Sequence, residues 1–265
     1  MEEQKTVQMY LFYILVFITG LVIGSFLNVC IYRIPLKESI VFPASHCVNC
    51  KHQLAVLDLI PVFSFIFLKG KCRYCGTRIS IQYPVIELVN ALLFLCIFIH
   101  FGFSYQSFFF ALFSSLLLVI SVIDFNEGII PNPLIIFGLI LGLIYIVFTT
   151  IGTQSWDIIR DGLTGSLLGA FIIILIILIS RGGMGAGDYK LMAVIGLFLG
   201  YKKIILVFFF AVIIGGIFAA FLLMFKSKER KSAIPFGPFI STAALIALFY
   251  GDLIIEWYLS SFVFF

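Results

Sequence analysis

Eight long runs of apolar residues constrain this chain more than any other feature. They cover roughly residues 7–31, 85–103, 108–123, 134–150, 163–180, 189–200, 204–225 and 236–259. The runs are unbroken rather than alternating, so they do not read as half-buried strands. Open sheets cannot sit in lipid, because their edge groups would go unsatisfied there. A spanning helix needs about 20 apolar residues, with a usual range of about 17–25. Most of the runs meet that length; 108–123 is lean. The run 189–200 is short and reads as a half-span or a tilted, buried helix. With 62% of residues apolar and only 11% charged, a water-soluble globule could not cover itself with polar surface. Disorder is excluded by the same numbers. The expected fold is an all-α polytopic membrane protein with about eight transmembrane helices.

The first run reads as a retained helix rather than a removable signal peptide. The segment Met1–Gln8 is net acidic, and no small-residue cleavage site follows. Between the first two runs lies one long polar stretch, residues 33–84. A module of this size usually needs a metal or disulfides to fold. Its basic residues are Arg33, Lys37, Lys51, Lys69, Lys71, Arg73 and Arg78. If all eight runs cross and the N-terminus lies outside, this loop faces inward. Arg181, Lys190, Lys226, Lys228, Arg230 and Lys231 face inward with it, so that side holds 13 of the 17 Lys and Arg residues. Cytoplasmic loops attract such residues, so the loop is expected in the cytoplasm of a multi-pass plasma-membrane protein. The net charge of +4 follows from this bias and gives no reason to invoke a nucleic-acid partner. The lipid bilayer is the expected surrounding, and the basic run 226–231 reads as an orientation signal beside anionic lipid.

The polar loop carries Cys47-Val-Asn-Cys50 and Cys72-Arg-Tyr-Cys75, separated by 21 residues. Each CxxC turn presents two thiolates at one point, and two turns complete a tetrahedron around Zn²⁺. A small zinc-ribbon-like domain with a structural zinc on Cys47, Cys50, Cys72 and Cys75 is the first reading. Disulfides or redox-active pairs are the alternative. Four thiolates would leave no open position for catalysis at the metal. His46 and His52 flank the first pair and read as exposed loop residues or substitute ligands. Cys30 and Cys96 lie in apolar runs and are expected to pack there.

Two aspartates sit at ends of apolar runs, where ionisable groups are rare and mark function. Asp124 ends the third run, before Phe125-Asn126-Glu127-Gly128-Ile129-Ile130-Pro131-Asn132. Asp188 opens the sixth, after Gly182-Gly183-Met184-Gly185-Ala186-Gly187. In the topology above, both fall at cytoplasmic helix ends. Two carboxyls held close share a proton, giving one acid and one base for water attack on a peptide carbonyl. Gly182, Gly183, Gly185 and Gly187 are expected to adopt positive φ and to let an extended substrate strand approach. The plainer reading is a flexible loop before a helix that Asp188 caps.

At these residues the chain resembles the type IV prepilin peptidases, membrane aspartic proteases of the GxGD class. The resemblance is carried by residues 24–35 (Gly-Ser-Phe-Leu-Asn-Val-Cys-Ile-Tyr-Arg-Ile-Pro), the paired CxxC motifs, Asp58–Ser64 and Gly70–Arg73. It continues through Ile79–Glu87, Asp124 with Ile130-Pro131-Asn132, Gly185–Leu191, and Ile234-Pro235-Phe236-Gly237-Pro238. The resemblance implies removal of the basic leader of prepilins or pseudopilins after a glycine, on the cytoplasmic side, with Asp124 and Asp188 as the catalytic pair. It also implies methylation of the new N-terminus from S-adenosylmethionine in members with a cysteine-bearing loop. Competence pseudopilins are the implied substrates in single-membrane bacteria. Gly185 and Gly187 become candidate substrate contacts. Glu87, at the start of the second run, either assists methyl transfer or pairs with Arg33 or Arg78; Asn28 and Arg33 are candidates to orient the loop. The domain plan is then a first helix (1–32), a four-cysteine zinc-binding loop domain (33–84) and a membrane-embedded protease domain (85–265). From other classes, a proton-coupled transporter relaying protons through the same aspartates, and a non-catalytic assembly subunit docking through its zinc loop, are the alternatives.

Overall fold

The computed structural model describes residues 2–181, 183–224 and 234–262. The basic run 226–231 and Gly182 lie outside the described residues. The chain divides into two compact units, residues 1–119 and 120–265.

The first unit contains α1 (Glu2–Arg33), the polar loop with α2 (Phe63–Phe67), α3 (Gln82–Phe101) and most of α4 (Tyr105–Glu127). Helices α1 and α3 pack closely because Gly20 and Gly24 present no side chain to α3. A Cβ on Gly20 would lie 2.6 Å from the Ala91 Cα, and one on Gly24 would lie 2.7 Å from the Glu87 Cα. Small residues spaced by four are how helices approach in lipid, where apolar burial between helices drives little. Asn90 makes a polar tie at this contact: its Nδ2 donates to the Gly20 carbonyl at 2.8 Å, and its Oδ1 accepts from Ser115 at 2.8 Å. The loop forms no strand among the described residues. It holds a single 3₁₀ turn, Val56–Leu59, and two isolated β-bridges, His46–Gln53 and Lys71–Arg78.

The second unit contains the end of α4, α5 (Asn132–Thr153), α6 (Asp157–Ile179), α7 (Ala186–Met224) and α8 (Gly237–Phe262). Gly128, at φ +68°, ends α4 and donates its N–H to the Asp124 carbonyl. Pro131 and Pro133 then start α5. The first half of α7 is the centre of the unit: Leu191, Met192, Val194 and Ile195 are fully buried. Helix α6 reaches it through glycines. A Cβ on Gly165 would lie 2.6 Å from the Gly196 carbonyl oxygen.

Among the described residues, seven helices are long and apolar enough to cross a membrane. The expected sixth and seventh runs both lie in α7, which is broken at Gly200 (φ +76°). Asp161 on α6 caps the second half: its Oδ1 accepts the Tyr201 N–H at 3.0 Å. A Cβ on Gly200 would fall on that carboxylate. Cys30 is buried as expected, whereas Cys96 faces outward on α3, so only one of the two packs.

Candidate active site and metal centre

In the second unit, Asp124 and Asp188 are both 5% exposed. Asp124 lies in the last turn of α4, and its Oδ2 accepts the Gly237 N–H at 2.8 Å. Gly237 opens α8, and a Cβ there would lie 2.7 Å from that same oxygen. Only glycine brings the α8 backbone so close to the carboxylate. Asp188 lies in the first turn of α7. Its Oδ2 accepts the Gly185 N–H at 3.1 Å, while its own N–H donates to the Gly185 carbonyl at 3.1 Å. The two carboxyls are near enough to interact electrostatically. The Ile130–Asn132 segment joins the same place. A Cβ on Gly187 would lie 2.7 Å from the Ile130 Cβ. Lys190 Nζ donates to Asn132 Oδ1 at 2.8 Å.

One expectation about this region changes. Gly183, Gly185 and Gly187 are not at positive φ. The glycine at 187 is required by the packing space against Ile130, not by an unusual backbone angle. The roles of Gly237 and of the Asn132–Lys190 pair are new with the structure. The run Ile234-Pro235-Phe236-Gly237-Pro238 is a signal in the sequence, but the sequence does not say which residue it meets.

In the first unit, the sulfurs of Cys47, Cys50, Cys72 and Cys75 all lie within 4.8 Å of one another. None of the six cysteines forms a disulfide. The two CxxC turns are local copies of one another. The N–H of Cys47 donates to His52 O and that of Lys51 to Cys47 O; the N–H of Cys72 donates to Thr77 O and that of Gly76 to Cys72 O. The residue after each second cysteine is left-handed, Lys51 at φ +59° and Gly76 at φ +72°. Zinc–sulfur bonds of about 2.3 Å in a tetrahedron place the sulfurs about 3.8 Å apart. The Cys47 and Cys75 sulfurs are 3.8 Å apart, so the donor set fits a zinc-sized ion. Hydrogen bonds from Thr77 bring the Cys75 thiol down to about 6. The His52 backbone N–H opposes a rise at Cys50, but desolvation and the neighbouring thiols push it up to about 11. Metal binding must therefore displace protons from this cluster. The histidines stand outside the four-sulfur set: His46 Nδ1 contacts the Ala44 carbonyl, and His52 stacks on Tyr74.

Glu87 is 7% exposed. The expected pairing with Arg33 or Arg78 is not formed. Its Oε2 instead accepts the Val62 N–H at 2.7 Å. Arg33, 6% exposed, donates to the carbonyls of Ser39 and Ala44. It therefore organises the loop, whereas Asn28 ties α1 to the first turn of α3, its Nδ2 donating to Tyr83 O at 3.0 Å. The loop holds one further buried side chain, Asp58, 3% exposed, at the start of the Asp58–Ser64 run. Asp58 accepts from Arg73 Nε at 2.6 Å and from Tyr74 at 3.3 Å.

Two family models match the chain. Residues 18–101 match the bacterial peptidase A24 N-terminal domain, and residues 111–220 match the type IV leader peptidase family. A prepilin leader peptidase/N-methyltransferase of Bacillus subtilis (strain 168) is 40% identical over 245 residues, covering 92% of this chain and 97% of the relative. The chain belongs to the type IV leader peptidase family. Proteins of the same description from Aeromonas salmonicida (strain A449) and Pseudomonas aeruginosa PAO1 are 30% and 31% identical. They cover 95% and 91% of this chain, and 95% and 91% of their own lengths. No solved structure matches. The family is one of enzymes, which leaves the transporter and assembly-subunit alternatives with no observation in their favour.

Proposed function

We propose that this chain is a membrane aspartic endopeptidase that removes the basic leader of type IV prepilins or competence pseudopilins, cutting after a glycine, and then methylates the new N-terminus. The observation that supports the reading is that two carboxyls, Asp124 and Asp188, are both buried near the end of α4 and the start of α7, which the close approach of Gly187 to Ile130 brings together. One carboxylate takes a proton from water, and the resulting oxygen attacks the scissile carbonyl carbon. The other carboxyl, protonated, gives its proton to the carbonyl oxygen. The tetrahedral intermediate then breaks at its C–N bond, and the leaving nitrogen takes a proton from the pair. The Gly237 N–H fixes the Asp124 carboxylate, and the Gly185 N–H fixes that of Asp188. Gly185 and Gly187 border the dyad and form the edge along which the extended leader peptide lies.

Residues 33–84 act as the metal-folded module and residues 85–265 carry the protease. Cys47, Cys50, Cys72 and Cys75 would hold a structural Zn²⁺, which stabilises the loop. S-adenosylmethionine supplies the methyl group. The bias of Lys and Arg supports a cytoplasmic position for the dyad and the loop. The test is mass spectrometry of a co-expressed pilin. The expected product begins at the residue after the leader glycine and is about 14 Da heavier than the cleaved chain, because methylation replaces one N–H hydrogen by CH₃. An unprocessed pilin, or one cut elsewhere, overturns the reading.

A further inference from the structure

Helix α2 is apolar on both sides. Phe65 and Leu68 turn inward and line a cavity of the first unit, and the Phe65 ring covers Gly70. Phe63, Ile66 and Phe67 have the spacing of a single helix face. They turn outward and are exposed, Phe67 by 81%. Val56 and Leu57, on the 3₁₀ turn beside α2, are exposed as well. A loop surrounded by water gains nothing from showing so many large apolar side chains together, and such patches mark interaction surfaces. None of these residues belongs to one of the seven helices long and apolar enough to cross a membrane.

The level at which α2 is held identifies what covers it. The turn before it is fastened to α3, because Val62 donates its N–H to Glu87 Oε2 at 2.7 Å. Val62 is β-branched yet sits at φ +62°, ψ −50°, in a tight turn closed by Phe63 N–H to Pro61 O at 2.6 Å. A strained residue of this kind persists only where its surroundings hold it. Glu87 is in the second turn of α3 and packs against Gly24 of α1. From Gly24, α1 runs on to Arg33, about 13 Å further at 1.5 Å per residue. Helix α2 therefore starts alongside the two membrane helices, not beyond their ends. Lys69 and Lys71 follow it at once, both exposed and without a carboxylate partner among the described residues. Apolar side chains with lysines beside them suit the boundary between acyl chains and headgroups, where the lysines reach phosphate. We propose that α2 is an interfacial anchor: Phe63, Ile66 and Phe67 enter the headgroup layer of the leaflet in which α1 ends and α3 begins, with Lys69 and Lys71 at its phosphates. The four-cysteine loop is then tied to the bilayer at its middle as well as at its two ends.

The test uses the full chain with its metal, in nanodiscs of phosphatidylcholine and phosphatidylglycerol, which leave both faces of the bilayer open to water. Trp156→Phe and Trp257→Phe remove the native tryptophans, and Phe67→Trp supplies a single reporter. Lipid brominated near the headgroup end of its chains should quench at least about half of the emission, and lipid brominated at the chain ends should quench less, as for a side chain about 5–10 Å deep. Metal content reports whether the loop has kept its fold; Ile66→Trp, on the same face, carries the same prediction where Phe67→Trp loses the metal. Emission unchanged by brominated lipid overturns the proposal. Aqueous iodide then identifies what meets the face instead. Iodide quenching that disappears when a prepilin is added means an apolar segment of the substrate, quenching that persists means water, and no quenching means another part of this chain. Equal or stronger quenching from the chain ends also overturns it, because α2 would then lie in hydrocarbon rather than among headgroups.

Discussion

Replacing Gly237 by alanine tests how the α8 backbone holds Asp124. The new Cβ would lie 2.7 Å from Asp124 Oδ2, whereas ordinary contact begins near 3.4 Å. The oxygen or the start of α8 must therefore retreat by about 0.7 Å, stretching the 2.8 Å hydrogen bond from the Gly237 N–H to the limit of bonding. A hydrogen bond to a charged group contributes about 1.5–3 kcal/mol. At about 1.4 kcal/mol per factor of ten, its loss from the reacting state slows the reaction roughly 10- to 150-fold. The assay is kcat/KM for a prepilin-like peptide bearing a Lys-rich leader and a Gly-Phe junction, in detergent. Gly216→Ala is the control, because a Cβ there meets nothing within 4 Å. Full activity in Gly237→Ala, with Asp124→Asn inactive, would refute the claim that this contact orients the carboxylate.

Other consequences can be measured separately. Gly76→Ala places a side chain at φ +72° and should weaken zinc retention in a chelator competition by about 1–2 kcal/mol; Lys51→Gly should strengthen it. Cys47→Ser should lower the zinc content, and the loop should lose order before the membrane helices do. Burial opposes ionisation of Asp58, but Arg73 outweighs it and holds the carboxyl below its ordinary range. Its contribution to loop stability is therefore present above about pH 4 and is lost as pH falls through the lowered folded value. Asp58→Asn should remove that acid transition from a tryptic-protection profile of the loop. Gly165→Ala adds a Cβ 2.6 Å from the Gly196 carbonyl and should cost about 1–3 kcal/mol, read as a lower Tm in detergent.

Much of this is legible in the sequence because the signals are local in the chain. Uninterrupted apolar runs state that a helix must lie in lipid, whatever its partners. Two CxxC turns state a ligand set, because each fixes two sulfurs within four residues. Residues that meet across the fold are harder to read. Gly237 and Asp124 are 113 residues apart, and no periodicity links a backbone N–H to a distant carboxylate. The glycines near Asp188 suggest unusual φ angles, the most familiar use of glycine. At Gly187 the deciding quantity is instead the space left by Ile130. The break in α7 depends on Gly200 together with Asp161, and neither residue alone announces a helix end. Glu87 is visible in the sequence as a charge at the start of an apolar run, but its partner is the Val62 backbone N–H rather than an arginine.

The most direct test of the paired-carboxyl site is a double-mutant comparison of leader cleavage. Groups that act as one unit are not additive when removed. Asp124→Asn and Asp188→Asn should each abolish cleavage while leaving membrane insertion intact, and the double variant should be no slower than either single one. Full cleavage by either single variant, or losses that multiply in the double, would mean that residues 124 and 188 do not work together on one water.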